Sequence, residues 1–390
     1  MREEGLLRRH LKAAASKALA WTGGDRLFGA ITGHRRLPLI VGYHRVVEDF
    51  TAMKPTSIPA MLITSRTFEQ QIDWIARRFR ITTLDEIGSL LESGEPSDER
   101  LAAITFDDGY ADLYHNAFPI LRRKGHPAAV FVVTDLIGRK DMQTFDRLYL
   151  LLARALGCPG GIDWLPRLQA VPAVERRRLS RFLRDPIFTT TLLLKALPQD
   201  ALGSVLEALE CRFPMAAECF DSHRSLDWDM LDEMSAAGIT IGSHSRTHPL
   251  LTLEEPARVR EEVEGSRRLL EQSLSRAIHH FAYPDGRFST QVVAAVKKAG
   301  YRFAYGVCGH RDASDPLLTI PRRTLWEYSC LDGRGRHSPS VMSCNVNGVF
   351  DLFARCRREH QAVGVAYRTA MAGLPAAAGA SGRSQERGSS

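Results

Sequence analysis

The chain alternates between short apolar runs and stretches in which apolar residues recur every three or four positions. Residues 37–44 (LPLIVGYH) read as a buried strand, after which Phe68, Ile72, Ile75 and Phe79 recur at helical spacing. Residues 101–108 (LAAITFDD) and 128–133 (AAVFVV) repeat the apolar run, with a helical pattern near 117–124 between them. Helical patterns at 228–237, 254–272 and 291–299 are then interleaved with the runs 239–244 (ITIGSH), 279–284 (HHFAYP) and 302–306. Strands alternating with helices predict an α/β fold on a parallel sheet, open or closed into a barrel.

Residues 139–225 break the rhythm: rich in Leu and Arg, they read as helix and carry no barrel-like strand. They leave the chain at the C-terminal end of the 128–133 strand. Such ends carry the chemistry of parallel sheets, so this insertion is expected to overhang the site and help select the substrate. The expected organisation is a basic helical segment at 1–36, a barrel from 37–138 and 226–330, a C-terminal extension at 331–370 and a disordered tail at 371–390.

Charge sharpens this picture. The net charge of +7 is concentrated at the ends, with +5 in residues 1–36 and +4 in 355–390, so the 318 residues between them sum to −2. A nucleic-acid-binding body would carry its excess on a folded face, and no nucleic-acid partner is expected. Seven cysteines, odd in number and without a C-x-x-C pair, fit scattered buried thiols in a reducing compartment. Arg8, Arg9, His10, Lys12 and Lys17 interrupt residues 6–21, which therefore do not read as a secretory signal, and a cytoplasmic location is the expectation. Leu6, Leu7, Leu11, Ala14, Ala15 and Leu19 form the apolar side of a basic helix. Packing on its own domain is the plainer expectation for it; peripheral contact with the inner membrane face is the other.

Three features carry candidate chemistry. Thr105-Phe106-Asp107-Asp108-Gly109 ends an apolar strand with adjacent carboxylates. Alone it reads equally well as a turn. Ser243-His244-Ser245-Arg246-Thr247-His248 ends another, and two histidines four apart converge on one metal if the segment makes a helical turn. Two His and one carboxylate leave positions open for water, as hydrolytic metal sites do. Neighbouring strand residues point to opposite sides, so one aspartate joins the metal and the other is spare to take a proton; spacing does not decide which. Phe281-Ala282-Tyr283-Pro284-Asp285-Gly286 ends a third strand. All three features fall at predicted strand C-termini.

At these residues the chain resembles the polysaccharide deacetylase (NodB-like) domain of carbohydrate esterase family four, in its FAYP-type branch. Residues 105–109 match its TFDDG motif, and His244 and His248 match its H-[ST]-x-x-H pair. The resemblance implies a distorted (β/α) barrel, Asp107 as catalytic base, and Asp108, His244 and His248 as ligands of one divalent ion, with zinc the expectation. It implies further that the Asp285 amide holds an oxyanion and that Tyr283 and Pro284 line the substrate wall. His44, in Tyr43-His44-Arg45, resembles the YH of related enzymes and lines the pocket on the same reading. Two departures stand out. Ala282 occupies a position where many members place an arginine that orients the base, and Arg322, in Ile320-Pro321-Arg322, is the candidate replacement. The Leu-x-His motif that supplies the acid in many members has no clear match; His310 and His337 lie in Gly-rich loops. The implied reaction is removal of N-acetyl groups from amino sugars of a polysaccharide or glycan precursor. The rival readings are hydrolysis of another cyclic or linear non-peptide amide, and a carbohydrate-binding protein that has lost activity.

Overall fold

The computed structural model describes residues 2–34, 37–95, 97–165, 171, 185–307 and 309–353. The tail expected at 371–390, the extension beyond 353 and residues 166–170 and 172–184 of the insertion lie outside the described residues.

Eleven strands among the described residues follow the apolar runs: β1 (Leu39–Tyr43), β2 (Arg45–Val47), β3 (Leu62–Thr64), β4 (Arg80–Ile81), β5 (Leu101–Phe106), β6 (Ala129–Val132), β7 (Thr240–Ser243), β8 (His280–Ala282), β9 (Phe303–Gly306), β10 (Ile320–Pro321) and β11 (Arg323–Thr324). All but β2 and β3, which pair with each other, belong to one parallel sheet in the order β10-β9-β8-β7-β6-β5-β1-β11, with β4 on β5. β10 and β11 are one strand interrupted at Arg322. Ile320 and Pro321 pair with Tyr305 and Gly306 on β9, whereas Arg323 and Thr324 pair with Val41 and Gly42 on β1. The two ends of the sheet thereby meet. The result is a nearly closed parallel barrel of eight strands, counting β10 and β11 separately and leaving β4 off the path, with helical insertions.

The period of two explains how the strands fill both faces. Ile40, Ala103, Ala129, Phe131, Ala282, Phe303, Tyr305 and Ile320 form one buried cluster. Their neighbours in sequence, Val41, Ile104, Val130 and Phe281 among them, join a larger cluster against the surrounding helices. The helix Ser65–Ala76 buries Phe68, Ile72 and Ile75 on its inner side. Its start is fixed by Thr64, whose Oγ1 accepts from the Thr67 amide. Glu327, downstream of β11, accepts from the Thr64 amide at 2.7 Å, which ties this helix to the closing strand.

The described part of residues 139–225 contains no barrel strand. Leu148, Leu151, Leu152, Leu193, Leu202, Val205 and Leu209 make a separate core of their own. Both ends of this segment are stitched to the barrel mouth. The Leu226 amide donates to Gly109 O and the Gly138 amide to Leu226 O, at 2.8 and 3.0 Å. Tyr110 donates to Asp146 at 2.5 Å, and Arg45 donates to Asp112 at 2.7 Å and to Ser222 O at 2.5 Å. Arg45 also lies 4.7 Å from the Tyr110 ring centroid.

Candidate metal centre

β5 delivers Asp107 and Asp108 to the mouth of the barrel, but not by strand alternation. The strand ends at Phe106, and Asp108 (φ 70°) and Gly109 (φ 66°) take left-handed conformations in succession. That reversal turns the two carboxylates to different partners. Gly109 is required here twice over, by its φ and because a Cβ would stand 2.9 Å from Val132 Cγ1.

The histidines do not lie on the helical turn the spacing suggested. After β7 the chain makes a tight loop with Ser245 at φ 69° and His248 at φ 59°. The loop is held from outside by Glu262, fully buried on the helix Pro256–Leu274. Its carboxylate accepts from the Arg246 and Thr247 amides, both at 2.9 Å, and from Thr247 Oγ1 at 2.7 Å. Ser245 Oγ accepts from the His248 amide at 3.0 Å. Four hydrogen bonds thus fix a backbone that non-glycine residues adopt only at some cost.

Asp108, His244 and His248 converge, with one ligand atom of each within 4.8 Å of the others. Asp108 Oδ1 lies 3.5 Å from His244 Nε2 and 3.4 Å from His248 Nε2. Ligand atoms about 2.0–2.2 Å from a shared tetrahedral centre stand roughly 3.3–3.6 Å apart, which is this spacing. Both Asp108 carboxylate oxygens are buried without a hydrogen-bond partner. Burial pushes the Asp108 pKa up and the charges of Asp107 and Asp146 add to it, so a cation is what the carboxylate lacks. His244 Nδ1 lies 2.8 Å from Ala282 O. A carbonyl only accepts, so Nδ1 carries the hydrogen and Nε2 presents its lone pair. Burial lowers the His244 pKa to about 4 and moves His248 the same way, which keeps both rings neutral. The residues fit a divalent ion.

Asp107 belongs to a different pair. Arg322 Nη1 and Nη2 donate to its Oδ1 and Oδ2 at 2.6 and 2.8 Å, and both side chains are buried. Burial alone would raise the Asp107 pKa. The Arg322 guanidinium, His244 and His44 outweigh it, and the pKa falls well below the usual carboxylate range. Arg322 also donates to Thr105 Oγ1 at 3.1 Å and lies 5.1 Å from the centroid of the Phe131 ring.

The other sequence candidates are placed as follows. His44 is partly buried, with Nδ1 unpaired, and its pKa is lowered by burial while Asp107 pulls it up. Asp285 sits at φ 53° in the turn Pro284–Gly286, with Oδ2 3.0 Å from Arg287 Nε. Pro284 is buried. Tyr283 is fully buried and donates its hydroxyl to Leu318 O at 2.8 Å, so it stands in the core rather than offering a polar atom to a ligand. His310 stacks on Phe288 and His337 bridges to Leu331.

Several residues that shape the site escaped the sequence reading. Gln143 Nε2 donates to Asp108 O at 3.2 Å, and the Phe145 ring lies 5.1 Å from the His248 ring, both from residues 139–225. Glu262 had a legible signal. It falls within the buried stripe Val259, Val263, Ser266 and Leu270, where an acid needs partners to be tolerated. The backbone carbonyl of Ala282 had none.

Comparison with known proteins agrees with this site. The family described as polysaccharide deacetylase matches residues 94–170 and 190–304, which include all three metal-facing residues. A putative polysaccharide deacetylase, YxkH of Bacillus subtilis, is 27% identical over 29% of this chain and 37% of its own. The poly-beta-1,6-N-acetyl-D-glucosamine N-deacetylase of Staphylococcus epidermidis is 32% identical over 37% of this chain and 53% of its own. The chain thus spans between about a third and a half of the length of these curated relatives. The solved structure of the Streptococcus pyogenes deacetylase PplD in complex with acetate overlaps 76% of this chain and 95% of its own, at 16% identity and a TM-score of 0.49. At the level of the superfamily, the chain is similar to the polysaccharide deacetylases with the NodB-like domain.

Proposed function

We propose that the chain is a metal-dependent hydrolase that removes N-acetyl groups from amino sugars of a polysaccharide or glycan precursor, with zinc as the ion, in the FAYP-type branch of its superfamily. The observation that carries the reading is the coexistence of two differently dressed aspartates. The Asp108 carboxylate has no hydrogen-bond partner and faces two imidazoles, while Asp107 is held ionised by Arg322 beside them.

A divalent ion held by Asp108, His244 and His248 would polarise the acetyl carbonyl and acidify water near neutral pH. The protein's own groups do the rest. Asp107 accepts the proton of the attacking water, and Arg322 fixes the plane of the carboxylate and keeps it charged. Ala282 holds His244 in the one tautomer that leaves Nε2 available. The Asp285 amide is assigned to the developing oxyanion, and His44 to the pocket wall beside the base. Residues 139–225, which supply Gln143 and Phe145, are assigned the choice of glycan. Another non-peptide amide remains the alternative substrate.

The reading is tested by acetate release from a panel of N-acetylated sugars, with and without chelator, for the wild type and Asp107→Asn. Chelator-sensitive release that Asp107→Asn abolishes supports it. Release that survives both treatments overturns it.

A further inference from the structure

The first two helices are built inside out. Arg2–Thr22 and Gly24–Ile31 join at Gly23 (φ 74°) and pack against the helix Pro339–Val346. Their inward side is small and polar. Ser16 and Asp25 are buried, and Asp25 accepts from Ser343 Oγ at 2.5 Å and Asn347 Nδ2 at 3.0 Å. Lys12 donates to Ser329 O at 3.2 Å and stands 4.3 Å from the Phe350 ring centroid. A Cβ on Gly29 would meet Asn347 Oδ1 at 2.8 Å, so the second helix approaches closely without a side chain.

The apolar residues face outward. Trp21 is 88% exposed, Ile31 76%, Leu27 63% and Leu11 61%. An ordinary surface helix shows the reverse arrangement, and large apolar side chains exposed together on two linked helices mark an interaction site. Its charge selects the partner. Arg9, Lys17 and Arg26 are exposed around it, whereas Asp25, the one acid among the described side chains of these helices, is buried. A second copy would bring like charge against like, and so would residues 355–390, with their own +4. Among the described residues, no helix is long and apolar enough to cross a membrane. Trp and aliphatic side chains ringed by Lys and Arg suit the boundary between acyl chains and anionic headgroups.

We infer that this hairpin docks on an anionic lipid surface, with Leu11, Trp21, Leu27 and Ile31 entering the headgroup boundary. The inference stands apart from the chemistry of the metal centre. The test is flotation of the full chain with vesicles of phosphatidylcholine, alone or mixed with phosphatidylglycerol. Binding to the mixed vesicles only, weakening with added salt, is expected. Lys17→Gln and Arg26→Gln should each weaken it about fivefold, and Trp21→Glu combined with Leu27→Glu should abolish it at unchanged thermal stability. Absence of flotation overturns the inference, as does flotation indifferent to the double variant. So does a dimer in light scattering that Trp21→Glu dissociates, because a second copy would then be the occupant.

Discussion

Arg322 and Asp107 lie 215 residues apart in the chain and form a two-pronged, buried ion pair at the mouth of the barrel. Both nitrogens of the fork are used, so shape and charge are both in play. Arg322→Lys keeps the charge but cannot form two parallel bonds. We expect a folded protein with kcat lowered about tenfold or more and KM little changed. Arg322→Ala strands a buried carboxylate and should cost about 3–5 kcal/mol of stability in denaturant unfolding. Wild-type kcat in the lysine variant would show that the fork is dispensable.

The two aspartates should separate cleanly by assay. Asp107→Asn is expected to retain one equivalent of divalent metal by elemental analysis and to lose roughly 10²–10⁴-fold in rate. Asp108→Ala and His244→Ala should lose the ion itself. Loss of metal in Asp107→Asn would mean that the roles are shared.

Glu262 touches no ligand atom, yet three donors on the His244–His248 loop depend on it. Glu262→Gln keeps the shape but exchanges part of its acceptor capacity for donors. Metal affinity, read by competition with a chromogenic chelator, should fall about 10–100-fold, as it does when outer partners of metal sites are changed. An unchanged affinity would place the loop's stiffness elsewhere.

Asp351 ties the second helix to the closing strand, accepting from Arg323 at 3.0 and 2.8 Å and pairing with His34 at 2.9 Å. Burial would raise its pKa, but these two partners lower it well below the usual value. A depressed carboxylate stabilises the fold above its unfolded pKa, near 4, and that contribution fades as pH falls below it. Partial exposure screens the pair, so Asp351→Asn should cost no more than about 1 kcal/mol at pH 7. Melting curves of wild type and variant should draw together as pH falls below about 4. A gap that persists at low pH would rule out the charge as its cause.

Much of the barrel was legible because each core strand is a continuous apolar run, and each begins within two residues of the sequence reading. Asp107, Asp108, His244 and His248 were legible because polar residues at strand ends are conspicuous. Two inferences from local geometry were not upheld. The strand period does not separate the aspartates, since Asp108 has already left the strand in a left-handed turn, and His244 and His248 meet through a strained loop rather than a helical turn. β10 and β11 were invisible as strands because neither is longer than two residues and their pairing with β9 and β1 is wholly non-local. The hold of Gln143 on Asp108 O and of Ala282 O on His244 depends on backbone atoms, which no side-chain pattern announces.

The interruption of the last strand at Arg322 links assembly to competence. Five residues, 320–324, let go of one edge of the sheet and grip the other, and the guanidinium swings inward at the crossing point. Closing the sheet and pairing Asp107 with Arg322 therefore depend on the same five residues. A nascent chain that has folded through β9 already possesses both histidines and both aspartates, yet Asp107 lacks its countercharge until the final staple goes in.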